Sequence, residues 1–331
     1  MPVAIMDDAN QILETVALHA ADLGLDTSQL RIVPIMNVGG FVNHSFRVSD
    51  GRLTYFLKLA ADPEASPGLA RWRTVASLLA QRYRAPRMVG WIDVRPPVRS
   101  GPLFEWIEGD LPKHFEAVPV EDLSALIRSL HTDAELASLL ASAGDPITSC
   151  ADAYSQGYHR RFLADLAFIA SAPPPFVGEQ LLDWMRTEAL ALRSRVESAA
   201  AFEEPADRPT HGDLWLNNLL LATADRWFIL DWDGLGLGDP VIDWAMLFGP
   251  SRNDVRSRAE QIHAAVSLGC AERDRLNLYA RASMLDWIID PLSDWVQAAN
   301  EPHFGVDIRT DNERVHRAAL ATYRARYGAT S

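Results

Sequence analysis

The chain has 331 residues, 48% of them hydrophobic, two cysteines and a formal net charge of −13. This length and apolar content exclude global disorder and leave room for two domains around a cleft, while the acidic balance argues against a nucleic-acid partner, whose binding rests on basic surface. No run approaches the roughly 18 uninterrupted apolar residues of a membrane span, the N-terminal MPVAIMDDANQ has no basic stretch followed by an apolar core, and Cys150 and Cys270 stand far apart in no metal-type spacing, so a reduced, cytoplasmic setting without disulfides or a membrane partner is expected.

The pattern of residues 8–23 predicts a helix with Ile12, Leu13, Val16 and Ala20 on one face. Strands are predicted at Leu30–Val38, Phe41–Val48 and Leu53–Ala60, the last two joined by Ser49-Asp50-Gly51, since Asp-Gly is a strong hairpin turn signal. A helix over Gly68–Tyr83 follows from the spacing of Leu69, Trp72, Val75, Ala76 and Leu79, and two more strands from Arg87–Val94 and Leu103–Ile107. The first hundred residues therefore read as a mostly antiparallel sheet with one intervening helix. After Glu108-Gly109 the chain becomes Ala- and Leu-rich and helical through 121–200, broken at Pro173-Pro174-Pro175, then passes through a strand–loop–strand island at 208–234 and is helical again from Val241. The expected division is an N-terminal lobe at 1–104, a short hinge at 105–109 and a C-terminal lobe at 110–331.

The island carries the chemistry. It reads Thr210-His211-Gly212-Asp213-Leu214-Trp215-Leu216-Asn217-Asn218, then, after apolar runs at 219–221 and 227–230, Asp231-Trp232-Asp233-Gly234. The runs predict a hairpin that brings Asn218 and Asp231 together at its open end, with Asp213 on the incoming loop. Two carboxylates and a carboxamide suit a hard cation such as Mg²⁺, which is usually held by one or two carboxylates together with phosphate oxygens. Asn218 and Asp231 are the expected ligands, and Asp213 the group that accepts a proton from an attacking hydroxyl. Asn218 follows Asp213 by five residues, the spacing of base and metal-binding Asn in the protein-kinase catalytic loop. Upstream, Gly39-Gly40-Phe41-Val42-Asn43 joins two strands, and adjacent glycines let backbone N–H groups approach phosphates.

His211-Gly212-Asp213 with Asn218, Ile229-Leu230-Asp231, and Gly238-Asp239-Pro240 with Asp243 together resemble the aminoglycoside phosphotransferase/choline kinase family. The resemblance implies an α+β, two-lobed, protein-kinase-like fold, with a sheet and helix in the N-terminal lobe and a mainly helical C-terminal lobe. It implies an ATP- and Mg²⁺-dependent phosphotransferase acting on a small molecule. Asp213 is then the base, with Mg²⁺ on Asn218 and Asp231. Gly39, Gly40, Phe41 and Asn43 form the phosphate loop, Lys58 pairs with the phosphates, and Glu105, Trp106 and Ile107 form the hinge facing the adenine. His211 and Asp243 are expected to brace the catalytic loop, and Asp239-Pro240 to cap a helix. Two departures stand out: Asn217 occupies a place where glycine is common, and the helix after Lys58 offers Arg71 and Arg73 but no acid to pair with it, Glu64 just before the helix being the nearest alternative.

Only Trp232 to Gly238 separate Asp231 from Asp239, too little for a peptide-binding activation segment, so a small-molecule acceptor is expected. Asp286, Asp290 and Asp294 recur every four residues beside Trp287 and Trp295, an arrangement that suits an amine by ion pairing and cation–π contact. The same residues also fit a solvated acidic face, and Pro291 is expected to disturb the helix. Three readings stay open: a kinase of an aminoglycoside-like compound or amino sugar, a metabolic kinase of a sugar or an amino alcohol such as choline, and a nucleotide-binding pseudokinase.

Overall fold

Alternating side-chain direction along five strands builds the sheet that organises the first part of the chain. In the computed structural model these are β1 (Arg31–Ile35), β2 (Asn43–Ser49), β3 (Thr54–Ala60), β4 (Met88–Val94) and β5 (Arg99–Glu105). The structure describes residues 3–35, 43–60, 66–94, 99–112, 120–223, 226–248, 266–300 and 305–328. The sheet is antiparallel, in the order β1-β2-β3-β5-β4. Asp50 closes the β2–β3 hairpin: its Oδ1 accepts the amides of Arg52 and Leu53 at 2.8 and 2.6 Å. These backbone bonds hold its carboxyl down at about 2.

The period of two along β3 decides what each face does. Leu57 and Leu59 join Phe46, Val48, Ile92, Val94 and Leu103 in a core against Ile12, Val16 and Ala20 of helices α1 (Val3–Leu18) and α2 (Ala20–Leu23). Phe56 and Lys58 point to the opposite face. Phe56 is paired across the strands with Phe104, and Phe104 packs 4.5 Å, ring to ring, against Trp72 of α3 (Ser66–Arg82). β3 is thus an interior strand, and Lys58 is not a solvent-facing lysine on a sheet edge: its side chain is 9% exposed. The expected first helix is two, broken at His19 (φ −97°, ψ 0°), and Gly24 at φ +69° ends α2 with its amide bonded back to the Ala20 and Ala21 carbonyls. The fifth strand begins four residues earlier than expected and stops at Glu105, leaving Trp106 and Ile107 outside it.

The helices α4 (Val120–His131) and α5 (Ala134–Ser142) follow, then β6 (Thr148–Ser149), α6 (Cys150–Tyr154), a π-turn at Ser155–His159, α7 (Arg160–Ser171) and α8 (Glu179–Ser198). The break between α7 and α8 falls on the expected prolines. Two short strands, β7 (Pro205–Ala206) and β8 (Arg208–Thr210), lead to the hairpin β9 (Leu219–Thr223) and β10 (Arg226–Ile229), then β11 (Gly236–Gly238), α9 (Val241–Phe248), α10 (Cys270–Asn300) and α11 (Gly305–Tyr327). Pro291 lies inside α10, and the helix runs through it. By their contacts the residues form two compact units, Met1–Asp145 with His211–Gly236, and Pro146–Thr210 with Leu237–Ser331. In the second unit Arg275 of α10 forms an ion pair with Asp239, 1% exposed, at 2.9 Å and donates to Glu204 at 2.6 Å. Asp239 in turn accepts the Val241 amide at the start of α9. No helix among the described residues is long and apolar enough to cross a membrane.

Candidate active site

The β9–β10 hairpin pairs Leu219 with Ile229, and the Leu230 amide donates to the Asn218 carbonyl at 2.7 Å one step beyond. Asn218 and Asp231 therefore flank the open end of the same hairpin. The Asn218 side chain is committed by its nitrogen: Nδ2 donates to the Asp213 carbonyl at 2.7 Å and to Asp213 Oδ2 at 3.0 Å. The atom it can offer a cation is then the amide oxygen Oδ1. Asp213 and Asn218 are thus locked together across the four residues between them.

His211 is 0% exposed and works as a bracket. Its Nδ1 accepts the Asp213 amide at 3.2 Å, and Nε2 lies 2.9 Å from the Leu230 carbonyl. A neutral imidazole protonated on Nε2 satisfies both bonds, tying the loop that carries Asp213 to the strand end that carries Asp231. The ring also packs 4.6 Å from that of Trp232, which is fully buried and donates Nε1–H to Ile229. Gly212, at φ +79°, permits the crossing of the two loops: a Cβ there would lie 2.4 Å from the Gly234 carbonyl oxygen.

Asp231 itself takes up a left-handed conformation, φ 60° and ψ 61°, which is uncommon for a residue other than glycine and is enriched in Asp and Asn. Its Oδ1 lies 2.6 Å from Lys58 Nζ, and Asp233 Oδ2 lies 2.6 Å from the same nitrogen. Asn43 Nδ2 donates to that Asp233 oxygen. Burial works against the charge on Lys58, but the two carboxylates outweigh it and hold its pKa above the ordinary lysine value. Burial is also the main influence on Asp233, which is lifted to about 6 against the pull of Lys58. The side chain of Asp231 is 41% exposed and that of Asp233 22%, so Asp231 is the more open of the two.

These carboxylates fill the place for which helix α3 has no acid. Instead α3 grips the loop from the other side. Arg71 Nη1 donates to the Leu235 carbonyl at 2.5 Å and its Nε pairs with Asp145 at 2.8 Å. At Gly68 a Cβ would come within 2.6 Å of the Asp233 carbonyl oxygen. Asp233, Arg71 and Asp145 carry no local sequence signal for these roles, because each contact spans a long stretch of chain.

Gly39, Gly40, Phe41 and Glu64 lie outside the described residues. Of the expected hinge residues, Glu105 bonds Arg87 through side chain and backbone. Trp106 donates to Glu108 and carries the Arg47 guanidinium 4.9 Å above its ring, and Ile107 is half-buried. Asp243 is fully buried in the first turn of α9. The acidic row on α10 is not uniform. Asp286 is buried and paired with Arg161 of α7 at 2.6 Å, while Asp290 is exposed and 3.6 Å from the same arginine. Asp294 is pushed up to about 7 by burial, with Asp165 adding to it. Trp287 is half-buried beside them. Arg161 is missing from the sequence reading; its four-residue spacing to Asp165 is visible there, but its reach to α10 is not.

Among the described residues no group of three or more His, Cys, Asp or Glu side chains could hold a metal ion. The donor set of Asn218 Oδ1 and one open carboxylate, Asp231, fits Mg²⁺ that takes its remaining ligands from phosphate and water, and does not fit a metal caged by protein alone.

Among solved structures the chain is similar to the GDP and kanamycin complex of APH(2")-IIia, with a TM-score of 0.64 and 14% identity over 94% of this chain and 99% of the other. It is also similar to the spectinomycin phosphotransferase APH(9)-Ia in complex with ADP and spectinomycin, with a TM-score of 0.61 and 13% identity over 94% of each chain. The choline kinase LicA from Streptococcus pneumoniae matches with a TM-score of 0.60 and 14% identity over 94% and 99%. At these identities the likeness establishes the protein-kinase-like α+β fold. Among curated proteins none matches the sequence significantly. The sequence itself matches the APH phosphotransferase enzyme family over residues 37–279, well over half of its length, and the chain therefore belongs to that family of phosphotransferases.

Proposed function

We propose that the protein transfers the γ-phosphoryl group of ATP to a hydroxyl of a small, cationic molecule, an aminoglycoside-like compound or amino sugar, in the cytoplasm. The observation that carries this reading is the Asp213–Asn218–Asp231 constellation, held by His211 and joined to Lys58. Residues 1–104 serve as the nucleotide-binding lobe, 105–109 as the hinge that meets the adenine, and 110–331 as the catalytic and acceptor-binding lobe. Gly39, Gly40, Phe41 and Asn43 approach the phosphates, and Glu105, Trp106 and Ile107 the base.

Asp213 accepts the proton of the acceptor hydroxyl as the new oxygen–phosphorus bond forms and the bond to the β-phosphate oxygen breaks, releasing ADP. The Asn218 side chain keeps the Asp213 carboxylate oriented. Asn218 Oδ1 and Asp231 hold Mg²⁺, which when bound neutralises charge on the phosphates. Lys58 places its ammonium against the same phosphates. His211 and Asp243 support the loop, with no proton to move. Positioning and charge neutralisation are what a loose phosphoryl-transfer transition state asks of a protein.

The acceptor class rests on the net charge of −13 and on Asp286, Trp287, Asp290 and Asp294. With Asp286 engaged by Arg161 at 2.6 Å, the exposed Asp290, 3.6 Å from the same arginine, is the member that meets a cation, with Asp294, whose pKa is raised to about 7, contributing as it ionises. A metabolic sugar or amino-alcohol kinase uses the same catalytic set and differs only in that recognition, and a pseudokinase binds nucleotide without turnover. The discriminating experiment is steady-state kinetics of Asp213→Asn. A kcat reduced by orders of magnitude with nucleotide affinity near the parent value supports the base assignment, and near-normal turnover removes it.

A further inference from the structure

Resting on the reading of Lys58 as the phosphate-pairing lysine, we propose that Asp233 is the carboxylate that positions Lys58, and that Asn43 fixes Asp233 for this task. A buried ammonium on an interior strand needs a fixed anionic partner to present it in one geometry. The helix packed over the same sheet face, α3, has no Asp or Glu between Ser66 and Arg82. Two carboxylates lie 2.6 Å from Lys58 Nζ instead, and they are not equivalent.

Asp231 is the more exposed and carries the metal-ligand assignment, so its carboxylate is drawn toward a second cation whenever nucleotide and metal are bound. Asp233 is less exposed and is gripped through the oxygen that faces Lys58, which also accepts from Asn43 on β2. Ser45 stands directly opposite Lys58 on the same strand, so Asn43 and Lys58 are carried by one hairpin, and Asp233 bridges the two. The backbone of Asp233 is fixed as well. Gly68 lets α3 approach its carbonyl, and Arg71 bonds the Leu235 carbonyl two residues on. Helix α3 therefore controls the lysine indirectly, by holding the loop whose carboxylate does the pairing.

A rival role exists. Asp233 Oδ1 is buried with no hydrogen-bond partner among the described residues, an arrangement a second metal ligand would also present. The two roles make different predictions when Lys58 is removed.

The test combines Lys58→Ala, Asp233→Asn, the double variant and Asn43→Ala. Positioning predicts that Asp233→Asn lowers kcat about 10- to 100-fold, the scale of a lost charge-assisted bond. It also predicts that the double variant is no worse than Lys58→Ala alone and that the Mg²⁺ concentration for half-activity is unchanged. Asn43→Ala should give a smaller loss in the same direction. Independently of activity, labelling of the ligand-free protein with a small amine-reactive reagent, read by peptide mass spectrometry, should show Lys58 modified several-fold faster in Asp233→Asn than in the parent. Asp233→Glu should restore part of the protection. A shift in Mg²⁺ half-saturation that persists without Lys58 would overturn the proposal in favour of a metal ligand, and unchanged kcat and labelling would overturn it in favour of a bystander. If Lys58→Ala and Asp213→Asn both keep parental turnover, the functional reading itself fails, whatever the labelling shows.

Discussion

Lys58 Nζ lies 2.6 Å from Asp231 Oδ1, across 173 positions of sequence. One ion pair joins the strand assigned to the nucleotide phosphates to the residue assigned to the metal. In such an arrangement each charge sets the cost of moving the other, and variants of one should be read against variants of the other.

Asp231→Ala removes both the pair and the open carboxylate. Nucleotide binding measured calorimetrically with and without Mg²⁺ should lose its metal-dependent tightening, while metal-free binding changes much less. Retention of the metal effect would place the ion on other ligands.

Gly212→Ala tests the loop crossing. The methyl would meet the Gly234 carbonyl at 2.4 Å, and φ +79° is strained for alanine. The His211–Asp213 bracket must shift to relieve this, and misplacement of a reacting group by about 1 Å costs about 100-fold in rate. We expect kcat to fall by that order with acceptor and nucleotide KM little changed; parental kcat would show that the crossing is not needed.

Much of this was legible beforehand. All five strands of the sheet follow from alternation and turn residues, and the Asp-Gly signal at Asp50-Gly51 marks a real hairpin end. The β9–β10 hairpin follows from two short apolar runs. What sequence left open lies in contacts between distant segments. The partner of Lys58, the grip of Arg71 on Leu235 and the pairing of Arg161 with Asp286 depend on which loop folds over which helix, and no local period encodes that. The continuation of α10 through Pro291 is of the same kind: tertiary packing carries a helix past a residue that breaks it in isolation.

Arg275→Met tests the core of the second unit. It would leave Asp239, 1% exposed, without its ion-pair partner at 2.9 Å. Stranding one member of a buried pair costs about 3–5 kcal/mol, so denaturant unfolding should show a loss of that size. A change under about 1 kcal/mol would mean that the Val241 amide is enough of a setting for the group.

Asp294 gives a pH signature. Its pKa in the folded chain is raised to about 7 by burial and by Asp165, against roughly 4 when unfolded. The folded state thus favours the protonated acid. The stability this group contributes is fully present below about pH 4 and is lost as pH rises through about 7. Thermal melts of the parent should fall between about pH 4 and 7 more steeply than those of Asp294→Asn, by a difference on the order of 1 kcal/mol after solvent screening. Parallel melts would show that Asp294 titrates as an ordinary surface carboxylate.

The exposed member of the row addresses acceptor recognition. Asp290→Asn should raise acceptor KM about 3- to 10-fold, with nucleotide KM unchanged, because only ground-state attraction is lost. Added salt should weaken acceptor binding more in the parent than in the variant. An unchanged KM would mark the row as solvated surface.

The most direct test of the account is ADP release from ATP and Mg²⁺, measured over a pool of aminoglycosides, amino sugars, neutral sugars and amino alcohols, with the parent and Asp213→Asn side by side. The account predicts acceptor-dependent ADP release by the parent, strongest with a cationic hydroxyl compound, and loss of that release by orders of magnitude in the variant. Release that no acceptor stimulates, or that survives in Asp213→Asn, would contradict it.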